Sequence, residues 1–144
     1  GISYVRNAQE VIEMKNRLNP HGIKIIAKIE TKESLENREE IIKVADAILI
    51  DRGDLGTAIG FEKVPKSQIL VLADCNKYNK PVIVATEMMM STINSTKPSC
   101  ADVSDVYFAL HHGANYVMLS EETALGKEHI STVKIMSKII KEFE

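Results

Sequence analysis

Apolar positions along the chain alternate between two periods. Val11, Met14 and Leu18 recur at i, i+3 and i+7 and predict a helix that Asn19-Pro20-His21-Gly22 would end. Lys24 to Glu30 (KIIAKIE) is a short apolar run of strand type. Glu33 to Val44 is helical, with Leu35 and Ile42 on one face. Ala47 to Asp51 (AILID) predicts a second strand. Pro65 to Tyr78 predicts a helix that opens with proline in its first turn. Pro81 to Thr86 (PVIVAT) is the third strand, and the turn-rich Ser91 to Cys100 follows it. Val103, Val106, Tyr107 and Leu110 mark another helix, and Tyr116 to Ser120 (YVMLS) a fourth strand. Ile130, Val133, Met136 and Ile140 stripe the last helix.

The order is a helix followed by four strand–helix units. Near-continuous apolar strands separated by helices imply a parallel sheet covered on at least one face. An open doubly wound sheet fits, and so does half of a (β/α)8 TIM barrel, whose usual count is eight units. A half barrel leaves two strand edges unpaired and therefore needs a missing barrel half or self-association. Residues 1–144 carry no domain boundary, no low-complexity tract and no internal repeat, so they are expected to form one segment.

Each predicted strand ends in polar residues of chemical interest. The first ends Lys28-Ile29-Glu30, and alternation places Lys28 and Glu30 on the same face. The second ends Asp51-Arg52-Gly53-Asp54, the third Thr86-Glu87, and the fourth Ser120-Glu121-Glu122-Thr123. Ligands of parallel α/β proteins bind outside the carboxyl ends of the strands, so four such ends in succession point to one site. Glu30 and Asp54 are suited to a hard cation such as Mg²⁺, which takes one or two carboxylates, waters and substrate oxygens. Lys28 would offset negative charge on a substrate. Gly53 and Asp54 offer backbone N–H groups to an anion, helped if a helix turn starts just after them. Thr86 and Ser120 add hydroxyls. The set suits a substrate bearing phosphate or carboxylate.

Composition narrows the setting. A formal net charge of −2 with no basic cluster gives no footprint for nucleic acid. No apolar run approaches the roughly 20 residues of a membrane span. The N-terminal GISYVR lacks the build of a signal peptide, and the two cysteines, Cys75 and Cys100, have no metal-ligand spacing. A reducing cytoplasm is the expected location. That setting argues against adhesion as the meaning of Arg52-Gly53-Asp54, and Arg52 is expected to pair with nearby carboxylates. Taken singly, Lys28–Glu30 reads as an ion pair, His111-His112 as surface residues or a helix C-cap, Met88 to Met90 as core packing, and both cysteines as inert thiols.

Taken together, the motifs resemble pyruvate kinase. The matching pieces are IIAKIE (25–30), RGDLG (52–56), EKVP (62–65), CNKYNKPVIVATEM (75–88), SDVYFAL (104–110) and MLSEETALG (118–126), with SYVRNAQEV (3–11) resembling the end of the family's fourth barrel strand and the next helix. The resemblance implies the second half of the catalytic barrel, from the end of strand four through helix eight, with the lid and C-terminal domains outside residues 1–144. It further implies that Glu30 and Asp54 ligate Mg²⁺ or Mn²⁺. Lys28 would contact the transferring phosphoryl group, and Gly53, Asp54 and Thr86 would bind the substrate carboxylate. Ser120 and Glu122 would lie near the route of enolate protonation. The implied reaction, a step of glycolysis, moves a phosphoryl group from phosphoenolpyruvate to ADP, giving pyruvate and ATP. The family's K⁺ ligands and its phosphate-binding arginine lie outside these residues, so the isolated chain is expected to be inactive.

The sequence also departs from the family pattern. Asp51 stands where a small neutral residue usually precedes RGDLG, Glu87 replaces a glutamine, Glu121 a glycine, and Cys100 an arginine of the family's subunit interface. One added charge about 8 Å from a dianion costs roughly 4 kcal/mol before screening or neutralisation by a metal. Three such acids imply a divergent or weakened enzyme. A metal-dependent lyase or aldolase acting on keto acids would also use a Glu and an Asp at strand ends, and a non-catalytic assembly module is a third reading. The lyase reading explains the metal pair but not the ordered string of matches, and absence of Mg²⁺ and ligand binding in a complete barrel would favour the assembly module.

Overall fold

In the computed structural model, which describes residues 1–18 and 22–143, four strands form one parallel sheet. They are β1 (Ile26–Ile29), β2 (Ala47–Asp51), β3 (Val82–Ala85) and β4 (Tyr116–Met118), hydrogen-bonded in the order β1-β2-β3-β4. A doubly wound sheet reverses its strand order at a switch point, whereas this one advances by one strand at every crossover, the order of a (β/α)8 barrel. The helices are α1 (Ala8–Leu18), α2 (Lys32–Glu36), α3 (Arg38–Val44), α4 (Arg52–Ile59), α5 (Val64–Lys77), α6 (Cys100–His111), α7 (Glu121–Ala124) and α8 (His129–Phe143). The Asn19-Pro20-His21 part of the expected stop after α1 lies outside the described residues.

Strand parity locates the core. Ala27, Ile29, Ile48, Ile50, Val82 and Val84 share one face of the sheet and are fully buried. On the opposite face the register aligns Lys28 with Leu49, Leu49 with Ile83, and Ile83 with Tyr116. That face is more open: Tyr116 is 59% exposed and Met118 38%. Apolar strand residues facing solvent on one side are what the remaining strands of a barrel would cover. Before β1, Ile2 bridges in parallel to Ala27, its N–H donating to Ile26 O at 2.9 Å and its carbonyl accepting from Lys28 N–H at 3.1 Å. The neighbouring-strand end expected at residues 3–11 therefore begins at Ile2.

Two expectations change. The helix expected over Glu33 to Val44 is broken at Asn37, which caps α2 with φ −94° and ψ 15° before α3 starts. A capping box between Thr31 and Ser34 starts α2 tightly after Glu30. The second change is α4, which begins inside RGDLG and for which no apolar stripe signals a helix. Pro65 in the first turn of α5, by contrast, lies where expected. Most of the bland readings hold: Met88 and Met89 are fully buried and His112 caps α6, but Met90 is exposed and lines the cleft at the strand ends instead of packing in the core. Burial, helped by Asp74, pushes the Cys75 thiol up to about 12, which makes it an inert core residue.

Candidate active site

The carboxyl ends of β1, β2 and β3 and the loop after β4 converge. Lys28 leaves β1 on the open face, and Glu30 follows two residues later on the same side. The Thr31–Ser34 capping box holds that turn, and the Ser34 hydroxyl also accepts the Glu30 N–H at 3.1 Å. Glu30 is 1% exposed. Its Oε1 accepts the Tyr4 backbone N–H from the neighbouring N-terminal segment. Its Oε2 lies 2.6 Å from Lys28 Nζ, yet this buried oxygen receives no aligned hydrogen bond, so the pair is held by charge rather than direction.

Asp51 ends β2 and caps α4, its Oδ1 accepting the Asp54 N–H at 3.4 Å. The other oxygen, Oδ2, lies 2.9 Å from Lys28 Nζ. Burial alone would lower the Lys28 pKa, but contact with Glu30 and Asp51 outweighs it and holds the ammonium well above its ordinary value. Oxygens of Glu30, Asp51 and Asp54 lie within 4.8 Å of one another. Three carboxylates against one ammonium, with a buried oxygen lacking a directed donor, are a donor set that fits a hard divalent cation. An anionic ligand would otherwise meet net negative charge.

Thr86 and Glu87 end β3 with φ of +67° and +52°. Left-handed backbone at two successive residues with side chains is strained, and Arg52 holds it. Its Nε and Nη2 donate to Thr86 O at 3.0 and 2.7 Å, Nη2 also to Glu87 O at 2.6 Å, and Nη1 pairs with both Asp105 oxygens at 2.8 and 2.7 Å. Arg52 is 7% exposed, which confirms it as a local charge partner and removes it from any adhesive display. So fixed, the Thr86 hydroxyl accepts the Gly53 N–H at 3.0 Å and donates to Asp51 Oδ1 at 3.3 Å. A Cβ at Gly53 would point toward Thr86 Oγ1 and Asp51 Oδ1, 3.7 and 3.8 Å away, so the glycine keeps that corner open.

A cleft of about 390 Å³ lies over this floor, lined in part by Asp51, Gly53, Asp54, Thr86, Ser120 and Glu121, with Glu87 and Phe61 also on its wall. A larger, apolar groove between α6 and α8 carries none of this chemistry. Glu122 does not line the cleft. It is fully buried and ties two loops together, accepting the N–H groups of Met88 and Met89 at 3.1 and 3.2 Å and of Ser120 at 2.7 Å. All three acids that depart from the family pattern near the site face the cleft. Of these, Asp51 is the one expected only as an added charge near the site, and it touches Lys28, Thr86 and Asp54. An acid three residues before a helical N–H is a capping signal, and it was available in the sequence. Cys100, the fourth departure, is exposed at the start of α6.

The chain matches the family model "Pyruvate kinase, barrel domain" over residues 1–133. It is 43% identical to the pyruvate kinase of Thermotoga maritima, with 99% of this chain and 31% of that protein covered. It is 43% identical to pyruvate kinase PKLR of Homo sapiens, covering 99% of this chain and 25% of the relative. The pyruvate kinase of Geobacillus stearothermophilus is 44% identical over 95% of this chain and 24% of its own length. The chain thus spans between about a quarter and a third of these curated relatives.

Proposed function

Because the chain belongs to the pyruvate kinase family, we propose that it contributes the second half of a catalytic barrel transferring a phosphoryl group between phosphoenolpyruvate and ADP. One observation carries the reading. An ammonium, a hydroxyl and backbone N–H groups meet three carboxylates, one with a buried oxygen that receives no directed hydrogen bond, at the ends of consecutive parallel strands. Phosphoryl transfer needs little covalent chemistry from the protein, so positioning and charge do most of the work.

Glu30 and Asp54 would hold Mg²⁺ or Mn²⁺, which supplies Lewis-acid charge neutralisation when bound. Lys28 faces the phosphoryl group and stabilises its developing charge. Thr86 and the N–H groups at the start of α4 bind and orient the substrate carboxylate. Ser120 offers its hydroxyl at the cleft where pyruvate enolate is protonated. Glu122 acts from beneath, holding the Met88–Met89 turn and the Ser120 loop in register. A cytoplasmic setting belongs to the same proposal. The lyase and assembly readings gain no support, since the relatives named above are pyruvate kinases.

The cation site is tested by Mn²⁺ binding, followed by electron paramagnetic resonance. Loss of even an outer-shell partner of a metal costs about 10- to 100-fold in affinity, so loss of a direct ligand in Glu30→Gln is expected to weaken Mn²⁺ binding by at least about 100-fold. Equal affinity in the variant would remove Glu30 from the site. Residues 1–144 alone are expected not to turn over, because phosphate-binding and nucleotide-covering parts of the family lie elsewhere and the open sheet face is uncovered. Pyruvate formation by the isolated chain, dependent on phosphoenolpyruvate and ADP in a coupled assay, would overturn that expectation.

A further inference from the structure

The donors assigned above to the substrate phosphoryl group and carboxylate, Lys28, Thr86 and the N–H groups of Gly53 and Asp54, are already engaged within the protein. Asp51 engages three of them: the Thr86 hydroxyl at 3.3 Å, the Asp54 N–H at 3.4 Å and, shared with Glu30 at 2.6 Å, the Lys28 ammonium at 2.9 Å. The fourth, the Gly53 N–H, goes to Thr86 Oγ1 at 3.0 Å. The Asp51 carboxylate is 8% exposed in residue terms, comes from the rigid end of a central strand, and caps the helix whose N-terminus it faces. It therefore stands where a ligand carboxylate would find an ammonium, a hydroxyl and a helix N-terminus together.

We propose that Asp51 is an intramolecular competitor: its carboxylate occupies the anion site of the free protein, and a substrate carboxylate or phosphate enters only by displacing it. This inference rests on the phosphoenolpyruvate reading of the site. It follows from charge and geometry. The tethered group is present at high effective concentration, since no translational freedom is lost when it binds. Its charge also repels an incoming anion at close range in a partly desolvated cleft. Glu87 and Glu121 line the same cleft but form no ion pair with Lys28, and Glu30, which does, does not line the cleft, so the competing group is Asp51, which joins Lys28 to the Thr86 hydroxyl and the Asp54 N–H. The consequence is a site whose anion affinity is set low by the protein itself.

Asparagine caps a helix as well as aspartate, so Asp51→Asn preserves the start of α4 while removing the charge. The test is calorimetric titration of phosphoenolpyruvate into the complete enzyme in chelator-treated, cation-free buffer, with circular dichroism as the folding check. Asp51→Asn and Asp51→Ala are expected to bind at least about tenfold more tightly than the parent, and the gain is expected to vanish when Lys28→Met is added. Equal affinities in parent and Asp51 variants, all sensitive to Lys28→Met, would overturn self-occupancy and leave the substrate reading standing. A gain that survives Lys28→Met would also overturn it, since the tighter binding would lie elsewhere. If no version binds phosphoenolpyruvate even after Mg²⁺ is added, the substrate reading fails and self-occupancy with it.

Discussion

Lys28→Met is expected to lower phosphoryl transfer from phosphoenolpyruvate to ADP by about 10³-fold in the complete enzyme, the scale on which a preorganised donor to developing charge acts. Methionine keeps the length and apolar stem of the side chain and removes only the ammonium. Among the described residues that ammonium is the one cation in contact with Glu30 and Asp51, 2.6 and 2.9 Å from their oxygens. Its held-up pKa keeps it charged wherever the enzyme works, so the loss is expected to be flat across neutral pH. The variant also leaves the carboxylates uncompensated and is expected to melt lower without divalent cation than with it. Steady-state assays and thermal scans with and without Mg²⁺ make the measurement. A rate within tenfold of the parent would show that Lys28 serves only the carboxylates and not the reaction.

Arg52→Ala is expected to cost about 3 kcal/mol of stability, lowering the melting temperature by roughly 10 °C for a chain of this size. Removing one partner of a buried pair leaves the other charge without compensation, and here two strained carbonyls lose their donors as well. The low end of the range applies because the Asp105 side chain is 32% exposed and regains water. Arg52→Lys is not expected to rescue. A point charge cannot span Thr86 O, Glu87 O and both Asp105 oxygens as the planar fork does. Because Thr86 loses its support, ligand affinity should fall in the same variants even where they remain folded. Denaturant unfolding of the three proteins decides the matter. An Arg52→Lys variant as stable as the parent would mean that the fork geometry is irrelevant.

Much of the architecture was legible in advance because it depends on local pattern. The strand cores, the intervening helices and the proline start of α5 all follow from which residues are apolar at period two or 3.6. The placement of Lys28 and Glu30 on one face needed only alternation. The pieces that were not legible each depend on something outside the local window. α4 has almost no apolar stripe in RGDLGTAI, and its start rests on one capping carboxylate. Thr86 and Glu87 carry no glycine to announce left-handed backbone, which persists because an arginine 34 residues away accepts the strain. Glu122, with a sequence motif that suggests chemistry, spends its carboxylate on three backbone donors and supports the site from below.

Asp51 marks the boundary between the two kinds of information. The sequence alone determined that an acid ends the second strand and that it departs from the family pattern. Whether it turned toward the site or away was decided by register, which brings the ends of β1, β2 and β3 level, and by the capping bond that fixes its rotamer. Parity is a property of one strand and survives any arrangement of its neighbours. Contact between Asp51, Lys28 and Thr86 is a property of three strands at once, and only their pairing in the sheet brings those side chains within hydrogen-bonding distance.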